Sequence, residues 1–491
     1  MPPEYDPLWM EITGILTPKS SFRVGTGEVL DPFSDMPVLR FENRHGRPWL
    51  PGSSLRGVLR AHLAREYSVL GVHHQVLENL FGFGGTQPRM GRIRVLDSIP
   101  DCDPAPSPEL RDHVHIIPEW GAAADKMKFD VEVVPPVSTL QFPLRVVYEG
   151  PADEKSNNEE LILLGEALRA FQTGLIRVGG RSGIGFGYFV LTTWTIRRFD
   201  RSTPEGISAW LRWRLGDESA GICAAIRFPP GQSAHVEPRS DLQPFHYLDF
   251  RITLRCEGPL LVKSPVRQDS PDAKPVKSAA GSYYLPGSSL RGVMRSHAFR
   301  IADSQNTGQE PVEHLFGCVK GDRSGRRGLL EVRDGKVSRA ETVNSDHVAI
   351  DRITNAAANT AKFEDCALNS PKIEVALGLR FTDDPEDLAA VALLLLVIRD
   401  LLDPDRRRIW LGSQTTRGYG LVKQGVLEEV TGSFHGDRKE QIAANWNRKD
   451  VSVGRSDFAA NTKELALGAF EEVCKSFEAA WTAVRGRSVP A

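Results

Sequence analysis

The feature of this sequence that most constrains its fold is an internal duplication. Residues 50–60 read Leu-Pro-Gly-Ser-Ser-Leu-Arg-Gly-Val-Leu-Arg, and residues 285–295, which lie 235 positions later, repeat ten of these eleven residues. The match continues at a nearly constant spacing: Leu-Phe-Gly at 80–82 recurs at 315–317, Asp-His-Val at 112–114 recurs at 346–348, and Lys-Phe at 128–129 recurs at 362–363. A spacing that changes so little along the chain means that a whole domain was copied.

Each copy has the same predicted layout, with strands and helices mixed along the chain. A strand of alternating apolar and polar residues opens each copy, at Leu8–Leu16 and at Tyr247–Arg255. A helix follows from the Ser-Ser pair, a second helix covers about 158–173 or 386–401, and a Gly-rich turn leads into a final strand. The sequence therefore predicts an α+β protein.

The repeat also predicts the domain boundaries. The first domain is expected at residues 1–199, a connector at 200–246, the second domain at 247–430, and a polar tail at 431–491 that contains an amphipathic helix near 462–484. The polar face of that helix is not notably basic, so docking on the protein body or on a partner is favoured over docking on a membrane.

Composition excludes several classes of protein. No apolar run reaches the length of a membrane span, and the N-terminal residues lack the pattern of a secretory signal, so a cytoplasmic protein is expected. The six cysteines are scattered and predict neither a zinc site nor a disulfide frame. A net charge of −2 argues against a free-standing nucleic-acid binder, but it permits a basic face in a subunit of a larger complex.

The Pro-Gly-Ser-Ser-Leu-Arg-Gly segment is the first candidate site for a polyanion. Glycine lets a ligand approach the backbone, the serines are expected to cap the helix, and free amides at a helix N-terminus suit a phosphate. Arginines four residues apart share one helix face, opposite an apolar stripe. The alternative is an ordinary capped helix with solvated arginines. The candidate residues are Gly52, Ser53, Ser54, Arg56 and Arg60, with Gly287, Ser288, Ser289, Arg291 and Arg295.

The Gly-rich turns at 179–187 and 412–420 are the second candidate. Each follows a helix and opens a strand, whereas a dinucleotide fingerprint follows a strand and opens a helix, so a Rossmann site is excluded. Backbone amides in such turns can still bind a polyanion, although tight turns without a ligand are the alternative. The candidate residues are Gly180, Arg181, Gly183, Ser413 and Arg417.

Aspartates in the loop after the first strand are candidate catalytic residues. Asp35 in the first copy, and Asp269 and Asp272 in the second, could hold a divalent ion or position a 2′-hydroxyl. From the residues alone, ordinary turn-forming aspartates are the alternative. His62 and His297 lie on the first helix of each copy, where a structural role is favoured over a catalytic one.

These motifs together resemble the RAMP superfamily of CRISPR proteins. More narrowly, the chain is similar to two fused copies of the backbone subunit of a type III effector complex, as in type III-D variants. The resemblance covers about 10–196 and about 247–425. It implies two tandem ferredoxin-like, RRM-related domains with hairpin thumb insertions, followed here by the C-terminal helix.

The resemblance implies thumbs that contact RNA. They are placed at Lys126–Phe129 and at residues 361–363, with Lys128, Phe129, Lys362 and Phe363 as RNA contacts. The sequence from His347 to Arg352 is closer to the family pattern than the sequence from His113 to Pro118, so the first thumb is expected to differ in shape.

The resemblance also implies an activity. The family cleaves target RNA with an aspartate two residues before a Pro-Val, together with a divalent metal, most simply Mg²⁺. Asp35 has that spacing before Pro37 and is therefore the expected catalytic residue and metal ligand. The second copy departs from the pattern, because Asp272 lies three residues before Pro275 and Asp269 one residue before a Ser-Pro. Asp272 ranks above Asp269, and an inactive second copy stays open.

The implied partners are a guide RNA (crRNA), a complementary target RNA and other CRISPR effector subunits, with no membrane. The main interpretation is a metal-dependent endoribonuclease that works within a ribonucleoprotein. The alternative is a non-catalytic scaffold for guide RNA, with cleavage by other subunits. A guide-processing enzyme is a weaker hypothesis, because neither copy offers a convincing catalytic histidine.

Overall fold

The computed structural model describes residues 7–27, 34–41, 46–70, 74–86, 88–117, 122–151, 154–225, 245–264, 271–318, 325–338, 340–403, 409–433, 457–460 and 481–482. The chain divides into two units. The first comprises Met1–Glu109, Glu132–Ser182 and Phe186–Pro244, and the second comprises Leu110–Val131, Gly183–Gly185 and Phe245–Ala491. The second unit thus includes two short stretches that belong to the first copy by sequence.

The elements up to residue 225 are, in chain order, β1 Leu8–Pro18, α1 Gly52–Leu70, α2 His74–Phe81, β2 Ile93–Val95, β3 Glu109–Ile117, β4 Ala122–Val133, β5 Phe142–Gly150, α3 Glu154–Gln172, a 3₁₀ turn Ser182–Ile184, β6 Phe189–Asp200, α4 Pro204–Arg214 and β7 Ile222–Ala225.

The later elements are β8 His246–Glu257, β9 Pro259–Leu260, β10 Tyr284–Leu285, α5 Gly287–Ser304, α6 Glu310–Phe316, β11 Gly317–Cys318, β12 Arg326–Arg327, β13 Leu330–Val332, β14 Gly335–Ser338, β15 Glu341–Ile350, β16 Ala357–Asn369, β17 Lys372–Phe381, α7 Pro385–Leu402, a 3₁₀ turn Thr415–Arg417, β18 Leu421–Ser433 and β19 Asp457–Ala460. The mixed α+β class predicted from the sequence is confirmed.

The first unit contains an antiparallel sheet in the order β2-β5-β1-β6-β7. Strand β5 buries every second side chain, because one face of the sheet lies against the helices. The core includes Leu16, Phe22 and Phe142 from the sheet region and Leu55 and Leu59 from α1. Along the chain, β1, α1, β2, β5, α3 and β6 follow a β-α-β-β-α-β order.

The second unit repeats this arrangement. Its sheet has the order β10-β14-β17-β8-β18-β19, and β13 also pairs with β17. Helix α7, predicted at 386–401, is buried on nearly all sides, from Ala389 to Leu401, which explains why its sequence is apolar rather than amphipathic. Each copy also contains a hairpin between the second and third strands of its β-α-β-β-α-β order. In the first copy β3 pairs with β4, between β2 and β5. In the second copy β15 pairs with β16, between β13 and β17.

The predicted connector and tail are only partly covered by the described residues. Helix α4 packs Trp213 against Trp9 of β1, and β7 extends the first sheet by pairing with β6, so this part of the connector is structured on the first unit. The predicted helix at 462–484 lies outside the described residues apart from 481–482, which are helical, and Trp481 is buried in the core of the second unit. The predicted domain boundaries stay a prediction.

The described residues include no helix that is long and apolar enough to cross a membrane.

A buried histidine–aspartate hydrogen bond joins α5 to α7 in the second unit. His297 Nε2 lies 2.8 Å from Asp400 Oδ2, and the two side chains are 5% and 4% exposed. Burial by itself raises the pKa of Asp400, but hydrogen bonds from His297 and Arg399 outweigh it and hold that pKa below its ordinary value. His297 therefore has a structural role.

The pair predicts a pH-dependent contribution to stability. Asp400→Asn should lower the free energy of unfolding by roughly 3 kcal/mol at neutral pH, because it removes a buried carboxylate that is hydrogen-bonded to His297 and Arg399. A carboxyl with a lowered folded-state pKa stabilises above its ordinary pKa and loses this effect as the pH falls, so the difference from wild type should shrink below about pH 4. Urea unfolding of wild type and variant at several pH values measures both effects.

Asp303→Asn is the matched control, since Asp303 lies on the exposed side of α5. It should change the stability by less than about 0.5 kcal/mol. If the two variants lose the same free energy of unfolding at neutral pH, the His297–Asp400 contact does not stabilise the protein as expected.

Candidate nucleic-acid interface

The Gly-Ser-Ser motif begins a helix in both copies, and an aspartate from a later segment caps it. The Gly52 amide at the start of α1 donates to Asp97 Oδ1 at 2.7 Å, and the Gly287 amide at the start of α5 donates to Asp334 Oδ1 at 2.8 Å. The expectation that the serines cap the helix is wrong for α5, because its N-cap position is Pro286 and makes no side-chain cap hydrogen bond. The aspartates were missed because they lie outside the recurring motif.

Glycine is required at the first position of each helix by a close approach of the backbone. A Cβ on Gly52 would lie 2.1 Å from the carbonyl oxygen of Val95, and a Cβ on Gly287 would lie 2.4 Å from that of Val332. Both carbonyls end a short strand just before the capping aspartate. The repeated glycine thus seats the helix against the sheet, which accounts for it without a ligand.

The serines of the motif lie in the first helical turn. Ser53 is exposed, and Ser54, Ser288 and Ser289 are half-buried. Their hydroxyls make no hydrogen bond to another described residue, whereas the Ser289 amide donates to the Pro286 carbonyl oxygen. These hydroxyls lie at the positive end of a helix and can donate to a phosphate. Their contact with RNA stays a prediction.

The first arginine of each motif is engaged inside the protein. Arg291 donates to the carbonyl oxygens of Phe316 at 2.6 Å and Leu330 at 2.7 Å, and its guanidinium lies 5.3 Å from the centre of the Phe316 ring. Arg56 likewise donates to the Phe81 carbonyl oxygen and lies over that ring. Burial, and then the charges of Arg295 and Arg327, lower the pKa of Arg291 to about 10.

These contacts explain why two distant motifs recur together. The arginine of Ser-Ser-Leu-Arg-Gly binds the backbone of Leu-Phe-Gly, so each motif needs the other for the fold. The second arginine is more accessible: Arg60 is exposed, and Arg295 is half-buried with its guanidinium 5.4 Å from the Phe299 ring. Arg60 is therefore better placed than Arg56 to meet RNA.

The structural role of the first arginine predicts a loss of stability. Arg291→Met should lower the free energy of unfolding by about 2–3 kcal/mol, because two buried carbonyl oxygens lose a charged donor. Arg300→Met, on the exposed face of the same helix, is the control and should change stability little. Thermal unfolding of RNA-free protein measures this, and an Arg291→Met variant as stable as the control would contradict the assignment.

The aspartate loop of the first copy packs against the end of β4, the returning strand of the hairpin. The Met36 carbonyl oxygen accepts from the Glu132 amide at 3.1 Å, and the Glu132 carboxylate accepts from the Val38 amide at 3.0 Å. Asp35 immediately precedes Met36 and is exposed.

The second copy makes the corresponding backbone contact. The Ala273 carbonyl oxygen accepts from the Cys366 amide at 2.8 Å, so Ala273 stands where Met36 stands in the first copy. Asp272 immediately precedes Ala273, is exposed, and accepts from the Glu364 amide at 2.8 Å. Asp272 therefore occupies the position equivalent to Asp35. Asp269 lies outside the described residues.

Two arginines flank the Asp35 loop. Arg23 Nε donates to the Met36 carbonyl oxygen at 3.3 Å, and an Arg181 guanidinium nitrogen lies 3.5 Å from the Met36 sulfur. Burial lowers the pKa of both groups, and the charge of Arg23 lowers that of Arg181 further. Two guanidiniums held this close make the loop a favourable place for a polyanion. Arg23 could not be predicted from the sequence, since it belongs to no repeated motif.

The recurring hairpin motifs contact each other across the strands. The His113 and Phe129 rings stack at 5.4 Å, and the His347 and Phe363 rings stack at 4.9 Å. Lys128 pairs with Asp112 at 3.0 Å and Lys362 with Asp346 at 3.3 Å, and these hydrogen bonds raise the pKa of both lysines. Both lysines are exposed. The predicted thumb residues Lys128, Phe129, Lys362 and Phe363 therefore lie on a hairpin in each copy.

In the second copy the hairpin base, the aspartate loop and the Gly-rich turn converge. His347 Nε2 lies 3.1 Å from the buried carboxylate of Asp365, which also accepts from Gln414. The Arg417 guanidinium lies 4.7 Å from the centre of the Phe363 ring. An arginine and an aromatic ring beside an exposed aspartate form a surface that a nucleic-acid backbone and base can both contact.

The Gly-rich turns use some of their amides internally. The Gly180 amide donates to the Arg23 carbonyl oxygen at 2.9 Å, and both the amide and the hydroxyl of Ser413 donate to the Leu261 carbonyl oxygen. These donors are occupied, so they do not support the predicted phosphate cradle; Gly183 is half-buried. Arg181 and Gln414 share a left-handed φ, near +60°, so Arg181 corresponds to Gln414 rather than to Arg417.

The described residues contain no group of three or more His, Cys, Asp or Glu side chains that could hold a metal ion. An exposed carboxylate at position 35 or 272 can supply one oxygen ligand. Mg²⁺ commonly takes one or two carboxylates and completes its shell with water and substrate phosphates. The described residues therefore fit a metal that would take part of its ligands from RNA.

A family model describing the RAMP superfamily matches residues 16–190 and 253–423. These regions cover more than half of the chain and one lies in each copy, so the chain belongs to the RAMP superfamily. A search of curated proteins found no match. Membership supports a CRISPR-associated subunit that binds RNA and acts with other subunits.

Proposed function

We propose that this chain is the guide-RNA-binding backbone subunit of a type III CRISPR ribonucleoprotein and that it cleaves target RNA at two places. The observation that carries the proposal is the equivalence of Asp35 and Asp272. Each is exposed, and each precedes the residue whose carbonyl oxygen receives an amide from the return of the hairpin. A duplicated aspartate in a duplicated frame is what two cleavage sites in one chain require.

The fold supports the same assignment. In each unit the β-α-β-β-α-β order and a sheet with the second, third, first and fourth strands side by side are the arrangement of a ferredoxin-like domain. We infer two such domains in tandem, as in a type III-D backbone fusion, with β3–β4 and β15–β16 as thumbs. RNA would contact the first turns of α1 and α5, Arg60, Arg417 and the Lys-Phe pairs of the hairpins.

Catalysis in this proposal depends mainly on positioning. The exposed hairpin residues, Met127 and Val348 among them, and the basic groups around the aspartate loops hold and distort the paired target. The strand is thereby placed so that a 2′-hydroxyl can lose its proton and attack the adjacent phosphate in line, which breaks the bond to the 5′-oxygen and leaves a 2′,3′-cyclic phosphate and a 5′-hydroxyl. Asp35 or Asp272 would hold a divalent metal, which would supply neutralisation of the developing charge.

The alternative is a guide-RNA scaffold without catalytic activity. The observation in its favour is that the described residues offer one exposed carboxylate per loop instead of a preassembled metal cluster. The two functions predict the same RNA binding and differ only in cleavage.

Cleavage by the reconstituted complex separates these functions. With guide RNA, complementary target and Mg²⁺, Asp35→Ala should slow one set of cuts by on the order of 100-fold or more, and Asp272→Ala should slow a second set equally, because each removes a positioned catalytic group. Target binding should be unchanged in both variants. The measurement is single-turnover cleavage of end-labelled target RNA resolved on a sequencing gel.

Asp101→Ala and Asp303→Ala are matched controls, since both remove an exposed carboxylate outside the aspartate loops. Complexes that contain either control variant should cleave target RNA at the wild-type rate. A double Asp35→Ala, Asp272→Ala variant that cuts every site at the wild-type rate would leave the scaffold as the function.

A further inference from the structure

The aspartate that caps α5 has a second partner within the second unit. Asp334 accepts from the Gly287 amide with Oδ1 and from the Arg111 guanidinium with Oδ2, at 2.7 Å. Arg111 lies on β3, in the segment Leu110–Val131 of this unit, and its side chain is only 9% exposed. Its guanidinium also lies 4.9 Å from the centre of the Tyr284 ring. A hairpin arginine is thus docked on the start of the Gly-Ser-Ser helix.

A second segment of the same unit packs beside this contact. A Cβ on Gly185 would lie 2.8 Å from the Cα of Arg333, and a Cβ on Gly287 would lie 3.0 Å from the Ile184 carbonyl oxygen. The backbone of Gly183–Gly185 therefore lies directly against the helix start. Such close backbone packing, together with a partly buried charged hydrogen bond, is typical of a specific protein interface.

The first unit carries the corresponding surface. Asp97 caps α1 with Oδ1 as Asp334 caps α5, and it is exposed. Among the described residues, the Asp97 carboxylate has no partner other than the Gly52 amide. Leu96, at the position of Arg333, is 39% exposed. We call Gly52, Leu96 and Asp97 the capping surface.

The shape and charge of the capping surface suit a basic guest. Leu96 and Asp97 line a cavity of about 650 Å³ together with Val95, Pro143 and Arg145. The Arg145 guanidinium is paired with the Glu11 carboxylate, so its charge is balanced within the protein. The second oxygen of Asp97 can therefore accept a charged hydrogen bond of the kind that Asp334 accepts from Arg111.

We propose that the capping surface of the first unit docks a hairpin arginine supplied by a separate protein subunit. A second copy of this chain does not fit, because the recurring Asp-His-Val motif aligns Arg111 with Ser345 in the β15–β16 hairpin. The occupant is thus a different protein that presents an arginine on a hairpin. This inference concerns protein assembly and does not depend on RNA cleavage.

The inference can be tested with the full chain by supplying the missing arginine. RNA-free Ser345→Arg protein should self-associate, with an association constant at least ten-fold above that of wild type, as measured by sedimentation velocity over a concentration series. Adding Asp97→Asn should return association to the wild-type level, because the amide side chain keeps the shape and loses the charge. Adding Asp101→Asn, a change of an exposed carboxylate outside the surface, should leave it unaffected.

Circular dichroism and thermal melting of each variant establish that it is folded. A folded Ser345→Arg variant that associates no more than wild type would overturn the inference, as would association that Asp97→Asn leaves intact. The inference would also be overturned if wild type self-associates and Asp97→Asn abolishes that association. The protein bound at the capping surface would then be a second copy of this chain, which lacks the arginine at position 345. None of these outcomes bears on the cleavage experiment, which measures a different surface.

Discussion

The hydrogen bond from the first amide of each Gly-Ser-Ser helix to a downstream aspartate is the interaction on which each copy depends. It places the helix start against the end of a short strand, so closely that only glycine fits. From that point the helix carries its arginine to the backbone of Leu-Phe-Gly. Its apolar face buries Leu55 and Leu59, or Leu290 and Met294, in the core. The Gly-Ser-Ser-Leu-Arg-Gly motif therefore stabilises the fold through its glycine and arginine. RNA binding is proposed for the serines and for the second arginine, whose side chains are more accessible.

The two copies keep the same backbone contacts, whereas the side chains on their surfaces differ. The two aspartate loops differ in sequence but meet the hairpin through the same carbonyl-to-amide contact, which is why Asp35 and Asp272 coincide. The surroundings differ: arginines flank the Asp35 loop, whereas Ala273, next to Asp272, pairs with Asp365, whose carboxylate contacts His347. The two proposed cleavage sites therefore need not have equal rates.

Much of this could be predicted from the sequence, because recurring motifs report the contacts that a fold cannot lose. The α+β class, the helix at Ser-Ser and the long apolar helix follow from periodicity and repetition. What the sequence could not show is which donors are already used: the Arg291 guanidinium and the Ser413 amide resemble free phosphate ligands until their carbonyl partners are known. Asp97, Asp334 and Arg23 escaped notice because single residues between motifs carry no recurring pattern. Asp272 could be ranked only weakly, since the loops differ in spacing and only the strand contacts align them.

Both copies are proposed to hold the same guide RNA on equivalent surfaces. Ultraviolet cross-linking of the reconstituted complex, followed by mass spectrometry of the peptides, is the direct test. Cross-links are expected in pairs, one from each copy, at the first turns of α1 and α5 and on the Lys-Phe strands of the two hairpins. Cross-links confined to one copy, or absent from these segments in both, would contradict the claim.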